Sequence, residues 1–316
     1  MKEALNFQEK ELIAAMDLGT NSNRLLIADK NGVPIYRDVR HVALGDGLAE
    51  NGCFSELAME RAICSFMDFK EMMEAYGVTK YRAIATAACR MSDNTEAFKQ
   101  EVRKASGIEL DVISEFEEAR LTLLGARLNA PQDKKYLFVY DLGGGSTEIT
   151  LATNSETPEI LTTISVPLGA RNATEIFHLS DYNQKGAEEL ENSVKKYVAQ
   201  FLDKIKTYDY EGNTALIATS STPLRLAAWI GKHGKYDKFA ADGAKVSTKD
   251  LDELIGKVLK MNFEERAESP YVGRNRAGIF IAALIIFRTI YKGLGCSELI
   301  ASLKGAQEAI VAELAV

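Results

Sequence analysis

A chain of 316 residues is long enough for two domains of ordinary size, and 46% hydrophobic and 26% charged residues with 6 prolines predict an ordered, soluble protein without long low-complexity tracts. A net charge of −7 excludes an all-over polyanion-binding surface and argues against nucleic acid as a partner, so a phosphate-rich ligand would have to meet locally concentrated Lys and Arg. The 4 cysteines, Cys53, Cys64, Cys89 and Cys296, form no CxxC pair, which points to reduced thiols in a cytoplasmic protein rather than disulfides or a zinc site.

The first residues, MKEALNFQEKELIAAMDLG, are charged and contain no long apolar core, so no signal peptide is expected. From Ala15 the chain reads AMDLGTNSNRLLIA, an apolar run that reaches Asp17, turns through small residues and resumes as a second apolar run before Lys30-Asn31-Gly32. This predicts a β-hairpin. Ser55 to Tyr76 has helical periodicity in Leu57, Met59, Ile63, Phe66, Met67 and Phe69. Strands are expected at Tyr81 to Thr86 and Leu110 to Ile113, the first followed at once by Arg90 in ATAACR. An arginine just past a strand's carboxyl end sits where α/β sheets bind ligands, and its fork suits phosphate.

VISEFEEARLTLLGA, from Val112 to Ala126, runs from a strand end through Glu115, Glu117 and Glu118 into a helix with Leu121, Leu124 and Leu128 on one face. These glutamates cap a helix at its positive end, or one of them activates a water. From Val139 the hairpin pattern returns as VYDLGGGSTEITLA, at an offset of 124 residues from 17 to 141. One unit therefore occurs twice at domain spacing, which indicates duplicated lobes. Further on, Lys185 to Ile205 reads as a helix and Ala215 to Ala218 as a strand that leads into four hydroxyl residues, Thr219 to Thr222. That stretch is a second phosphate loop or an N-cap. The apolar segment Gly278 to Phe287 is too short to span a bilayer and reads as a buried helix. Gly231 to Lys238 and Gly273 to Gly278 are basic, either a solvated surface or guides for a polyanion.

The second copy carries the clearer chemistry. Gly143, Gly144 and Gly145 remove every Cβ, so successive N–H groups can converge on a phosphate oxygen, with Ser146 and Thr147 adding hydroxyls. Asp17, Asp141 and Glu148 offer carboxylates for Mg2+, a hard cation that takes oxygen ligands and phosphate co-ligands. The expected class is α/β, two mixed sheets flanked by helices.

Taken together, DLGTNS at 17 to 22, LGDGL at 44 to 48, ATAACR at 85 to 90, ISEFEEAR at 113 to 120, DLGGGSTE at 141 to 148 and VPLGA at 166 to 170 resemble the exopolyphosphatase and guanosine pentaphosphate phosphatase family in order and approximate spacing. The resemblance implies two duplicated lobes of the actin-like, ribonuclease H-like fold with an interlobe cleft, as in the sugar kinase and heat-shock chaperone ATPase superfamily. It places the lobe boundary at 126/127, with 302–316 returning to the first lobe and 127–301 forming the second. It implies Glu118 as catalytic base with Glu117 beside it, phosphate contacts from Asn21, Ser22, Gly143, Gly144, Gly145, Ser146 and Thr147, Arg90 completing the cleft, and Mg2+ or another divalent cation at Asp17, Asp141 and Glu148. Polyphosphate, and guanosine pentaphosphate as a second substrate, would be the partners, without nucleic acid or membrane; a homodimer is an allowed assembly.

Three departures from the family's pattern stand out: Glu115 where the family has glycine, Ala218 to Thr222 without the distal loop's glycines, and a closing segment that reads Ser302 to Glu308. The rivals are an ATP-dependent kinase of the same superfamily, which would need an adenine pocket in the second lobe, and a catalytically silent phosphate or nucleotide sensor.

Overall fold

Both copies of the repeated segment fold as antiparallel hairpins in the computed structural model, which describes residues 11–316. In the first, β1 (Leu12–Leu18) is buried along its whole length and pairs with β2 (Asn23–Asp29). The Asp29 carboxylate accepts from the N–H groups of Asn31 and Val33, Gly32 takes φ 77°, and the chain returns as β3 (Pro34–Arg40). β4 (Val78–Ala85) and β5 (Leu110–Val112) then add in parallel, giving the order β3-β2-β1-β4-β5.

The second copy repeats this plan. β6 (Tyr136–Leu142), β7 (Thr147–Thr153) and β8 (Ile160–Val166) form the meander, β9 (Thr214–Thr219) joins β6 in parallel, and β11 (Glu298–Ser302) joins β9. A short antiparallel strand, β10 (Lys245–Ser247), closes the far edge. Apart from β10, both sheets have the order third, second, first, fourth, fifth, so the duplication read in the sequence is a duplication of architecture. β3 and β8 escape sequence reading because their residues are nearly all partly exposed, leaving neither an apolar run nor a clean alternation.

The predicted helices form where their capping residues allow. Glu56–Tyr76 starts at Ser55, whose hydroxyl accepts from the Ala58 N–H, and stops at Gly77 with φ 68°. Its buried stripe is Ala58, Ala62, Phe66, Phe69 and Met73; Leu57 and Met67, expected on the apolar face, lie off that stripe and are exposed. Gln184–Ile205 begins at Asn183 and packs against Phe280–Gly293, whose residues from Phe280 to Phe287 are all buried. Leu128, expected on the face of Leu121, is exposed because the helix Glu115–Ala126 ends two residues earlier and Arg127–Asn129 turns as a 3-10 segment.

Two compact units result, one running up to Ser114 and taking back Ala306–Val316, the other Glu115–Gly305. The return is fixed by Gln307, whose side-chain amide donates to the Ala15 carbonyl (2.9 Å), and by an ion pair of Arg37 with Glu308 (2.6 Å). The helix Glu115–Ala126 packs against β6, β7, β8 and β9 and so groups with the second unit, although its sequence position suggests the first. All 4 cysteines are free, and no helix among the described residues is long and apolar enough to cross a membrane.

Candidate functional site

The second hairpin's loop is shaped from behind. The Gly143 N–H donates to the Ser146 carbonyl (3.0 Å), and a Cβ at Gly143 would lie 2.9 Å from that same oxygen. The carbonyls of Gly143, Gly144 and Gly145 are all taken by the segment after β8: Ala170 N–H donates to Gly143 (2.9 Å), Arg171 N–H to Gly144 (2.8 Å), and the Asn172 amide to Gly145 (2.8 Å). Gly169 permits this approach, since a Cβ there would be 2.5 Å from the Gly144 carbonyl carbon. In a trans peptide the N–H points opposite to its C=O. The N–H groups of Gly144, Gly145 and Ser146 are therefore turned away from the backing segment, and none donates a hydrogen bond within the described residues. Successive amides of this kind make an anion nest.

Carboxylates stand on the strands that flank the nest. In the β6–β7 register Asp141 faces Glu148, and Glu148 is buried, accepting from the Ser165 hydroxyl (3.0 Å) and from Ser146. Burial first, then the charges of Glu118 and Asp141, push the Glu148 carboxyl well above its ordinary range. Glu118, whose charge acts on Glu148, lies on the first turn of the helix Glu115–Ala126. Its neighbour Glu117 points its carboxylate at Arg120 on the same helix, in a two-pronged pair of 2.7 and 2.9 Å. Thr147, expected to bind phosphate, is fully buried and donates its hydroxyl to the Leu168 carbonyl (2.7 Å), bracing the loop.

Among the described residues no group of three or more His, Cys, Asp or Glu side chains comes close enough to hold a metal by itself. Mg2+ commonly needs only one or two carboxylates, taking its other oxygens from water and phosphate. A desolvated Glu148 opposed to Asp141 and influenced by Glu118 is a donor set that fits a hard divalent cation, which would relieve the crowding of negative charge.

The first hairpin has the same turn with different chemistry. The Gly19 N–H donates to Ser22 (3.0 Å), and the backing comes from the segment after β3, with Gly45 N–H to Thr20 (2.9 Å) and Ala43 N–H to Asn21 (3.0 Å). Asn21 and Ser22 are buried, and the Ser22 hydroxyl bonds His41 Nδ1 (3.2 Å). Asp17 is ion-paired with Arg24 (2.7 Å), the residue directly across the β1–β2 ladder. Arg90 lies in the one-turn helix Ala87–Met91 past β4 and donates to the Ile113 carbonyl (3.0 Å).

Sequence reasoning quoted LGDGL at 44 to 48 and VPLGA at 166 to 170 without assigning them the backing role, and it missed Asn172 and Ser165. A signal existed: VALG at 42 to 45 and VPLG at 166 to 169 recur at the same 124-residue offset as the two aspartates. In the hydroxyl stretch after β9, Ser220 occupies the N-cap position without a side-chain cap and holds φ 85° and ψ 178°, backbone that is ordinarily glycine's. The two basic segments of this unit are drawn together by Arg225, which lies over the Tyr236 ring (4.0 Å) and donates to the Tyr271 and Val272 carbonyls.

Residues 26–315 match the Ppx/GppA phosphatase family. The chain is 28% identical over 295 residues to exopolyphosphatase 2 of Mycobacterium tuberculosis, covering 89% of this chain and 90% of that protein. It is 27% identical over 307 residues to a bifunctional 3-dehydroquinate synthase/phosphatase of Fusobacterium nucleatum, covering 94% of this chain and 45% of that longer protein. Two solved structures share the fold across both units: an exopolyphosphatase from Cytophaga hutchinsonii, with a TM-score of 0.87, 24% identity and coverage of 96% and 98% of the two chains, and a Ppx/GppA family member from Aquifex aeolicus, with 0.79, 25%, and 96% and 97%. The duplicated α/β fold is thus the architecture of the whole match.

Proposed function

Because the chain belongs to the Ppx/GppA phosphatase family, we propose that this phosphoric anhydride hydrolase removes the terminal phosphate of inorganic polyphosphate, with guanosine pentaphosphate as a second substrate. The observation that carries the reading is the trio of outward N–H groups at Gly144, Gly145 and Ser146, with Glu118 and Glu148 beside it. A terminal phosphate accepts from those amides, which stabilise charge as it develops on the transferring group. Glu118 accepts a proton from the attacking water; Glu117, committed to Arg120, holds the helix turn. On the first unit, Asn21, Ser22 and Arg90 supply phosphate donors of the same kind.

Asp141 and Glu148 would hold Mg2+ or another divalent cation, and Asp17 is the first unit's own candidate ligand. When bound, it supplies electrostatic neutralisation of the phosphate oxygens. Without it, burial and two neighbouring carboxylates push the Glu148 carboxyl toward its neutral form.

The test is phosphate release by the purified protein from polyphosphate, guanosine pentaphosphate and ATP assayed in parallel, with and without divalent metal. Release from polyphosphate is expected. Transfer from ATP to a small acceptor would establish a kinase instead, and binding without release from any of the three would establish a sensor.

A further inference from the structure

A cavity lies between two helices of the second unit. The helices Gln184–Ile205 and Phe280–Gly293 approach closely at Gly293, where a Cβ would fall 2.5 Å from Val198 Cγ1. Beside that contact they leave a cavity of about 540 Å³. Val198 and Thr289 are buried at its floor, and the Thr289 hydroxyl is already spent on the Ile285 carbonyl (2.7 Å). Ala199 and Leu202 form an apolar wall. The floor and wall therefore offer carbon, while the rim offers charge.

That charge is positive. Lys195, Arg288 and Lys292 line the cavity against a single acid, Glu191, in a chain whose net charge is −7. Glu191 is taken by Lys195 at 2.6 Å and reaches Arg288 only at 4.0 Å; Lys292 is 3.1 Å from Asp252. The Arg288 side chain is 27% exposed and makes no hydrogen bond within the described residues. A half-buried guanidinium presents five N–H donors in a rigid fork, the geometry that grips a carboxylate or phosphate with two bonds. The volume lies in the range of small-molecule sites, about 300–1,000 Å³.

We propose that this cavity binds a small amphipathic anion, its phosphate or carboxylate head on Arg288 and its flat or aliphatic body against Val198 and Leu202. The site is separate from the glycine loop and uses none of the residues assigned to hydrolysis, so its occupant would be an effector and not the substrate.

The test uses the full chain and two probes, adenosine monophosphate for a phosphate head and naphthoate for a carboxylate head, by calorimetry and saturation-transfer NMR. Inorganic phosphate is left out, and each titration is repeated with added phosphate, which should compete with adenosine monophosphate at Arg288. Saturable binding of at least one probe is expected, and the tighter of the two identifies the head group. Arg288→Ala should weaken it about 10- to 100-fold, the range for a hydrogen-bonded charge. Ala199→Trp, at an exposed wall position, should fill the cavity and abolish binding. Both variants should keep wild-type Tm and turnover of polyphosphate, which shows that neither loss comes from misfolding. No saturable binding of either probe at millimolar concentration, or affinities that both variants leave unchanged, would overturn the proposal.

Discussion

The two hairpins share a turn, a backing segment and a 124-residue offset, yet they differ at one decisive position: across the ladder from the aspartate stands Arg24 in the first and Glu148 in the second. In the first, Asp17 and Arg24 form a pair of opposite charge at 2.7 Å. In the second, Asp141 faces a carboxyl that burial and its neighbours push toward the neutral form. The same backbone thus makes one loop with a paired aspartate and one in which two carboxyl groups oppose each other. Duplication supplied the scaffold, and a single cross-strand residue divided the labour.

The sharpest way to break this asymmetry is to remove the proposed base, Glu118, on the helix that packs against the second hairpin. Glu118→Gln keeps the shape and loses the proton acceptor, so kcat should fall about 10²- to 10⁴-fold with polyphosphate binding retained. Glu117→Gln should cost far less, since that carboxylate serves Arg120. Single-turnover phosphate release and equilibrium binding on both variants check this. A dead Glu117→Gln beside an active Glu118→Gln would reverse the assignment.

Next comes the loop's shape. Gly169→Ala puts a Cβ at 2.5 Å from the Gly144 carbonyl carbon, and both partners are backbone, so the glycine loop must move. Misplacing a phosphate-binding loop by about 1 Å can cost on the order of 10²-fold in rate. The matching Gly45→Ala in the first unit meets the Thr20 side-chain methyl, which can rotate away, and should cost much less. Steady-state kinetics of the pair should therefore be unequal; equal losses would remove the distinction between the loops.

Much of this was legible in the sequence, and the reasons are local. An apolar run ending in Asp-Leu-Gly followed by small residues specifies a hairpin, and Ser55, Gly77 and Asn183 mark helix ends by the hydrogen bonds and backbone conformations they allow. What was hidden depended on tertiary packing. Glu117 and Glu118 are adjacent in sequence but differ in face by about 100° on a helix, and only the partners, Arg120 for one and Glu148 for the other, separate them. Thr147 looked like a donor beside Ser146, but strand alternation turns it inward to Leu168. The edge strands β3 and β8 lack the apolar signal because each has only one paired neighbour and little buried surface.

The proposed cation dependence rests on Glu148. A buried glutamate whose folded-state value is raised favours the fold while protonated; that contribution is complete below the ordinary glutamate range and is lost as pH rises through the raised value. In chelator, the wild-type protein should therefore lose thermal stability as pH climbs above the ordinary carboxyl range. Glu148→Gln, fixed in the neutral state, should flatten that slope. Added Mg2+ should raise Tm at neutral pH in the wild type and do so less in the variant. Scanning calorimetry across pH settles it: an unchanged slope in Glu148→Gln would mean that other groups set the acid–base response.

The smallest effect is expected where charge is already balanced. Arg24→Gln removes the partner of Asp17 from a pair whose arginine side chain is 35% exposed, and such a pair is screened by water. The cost should be about 0.2–1 kcal/mol, the range of exposed ion pairs. That corresponds to a fall in Tm of a few degrees at most for a chain of this size. Because the variant leaves Asp17 without its guanidinium, it moves the first hairpin one step toward the second, and added Mg2+ should then raise its Tm more than it raises that of the wild type. A differential scanning titration of both proteins with metal measures this. The same Mg2+ response in both would show that Asp17 reaches a cation whether or not Arg24 holds it, and the division between a settled loop and a cation-seeking loop would have to rest on Glu148 alone.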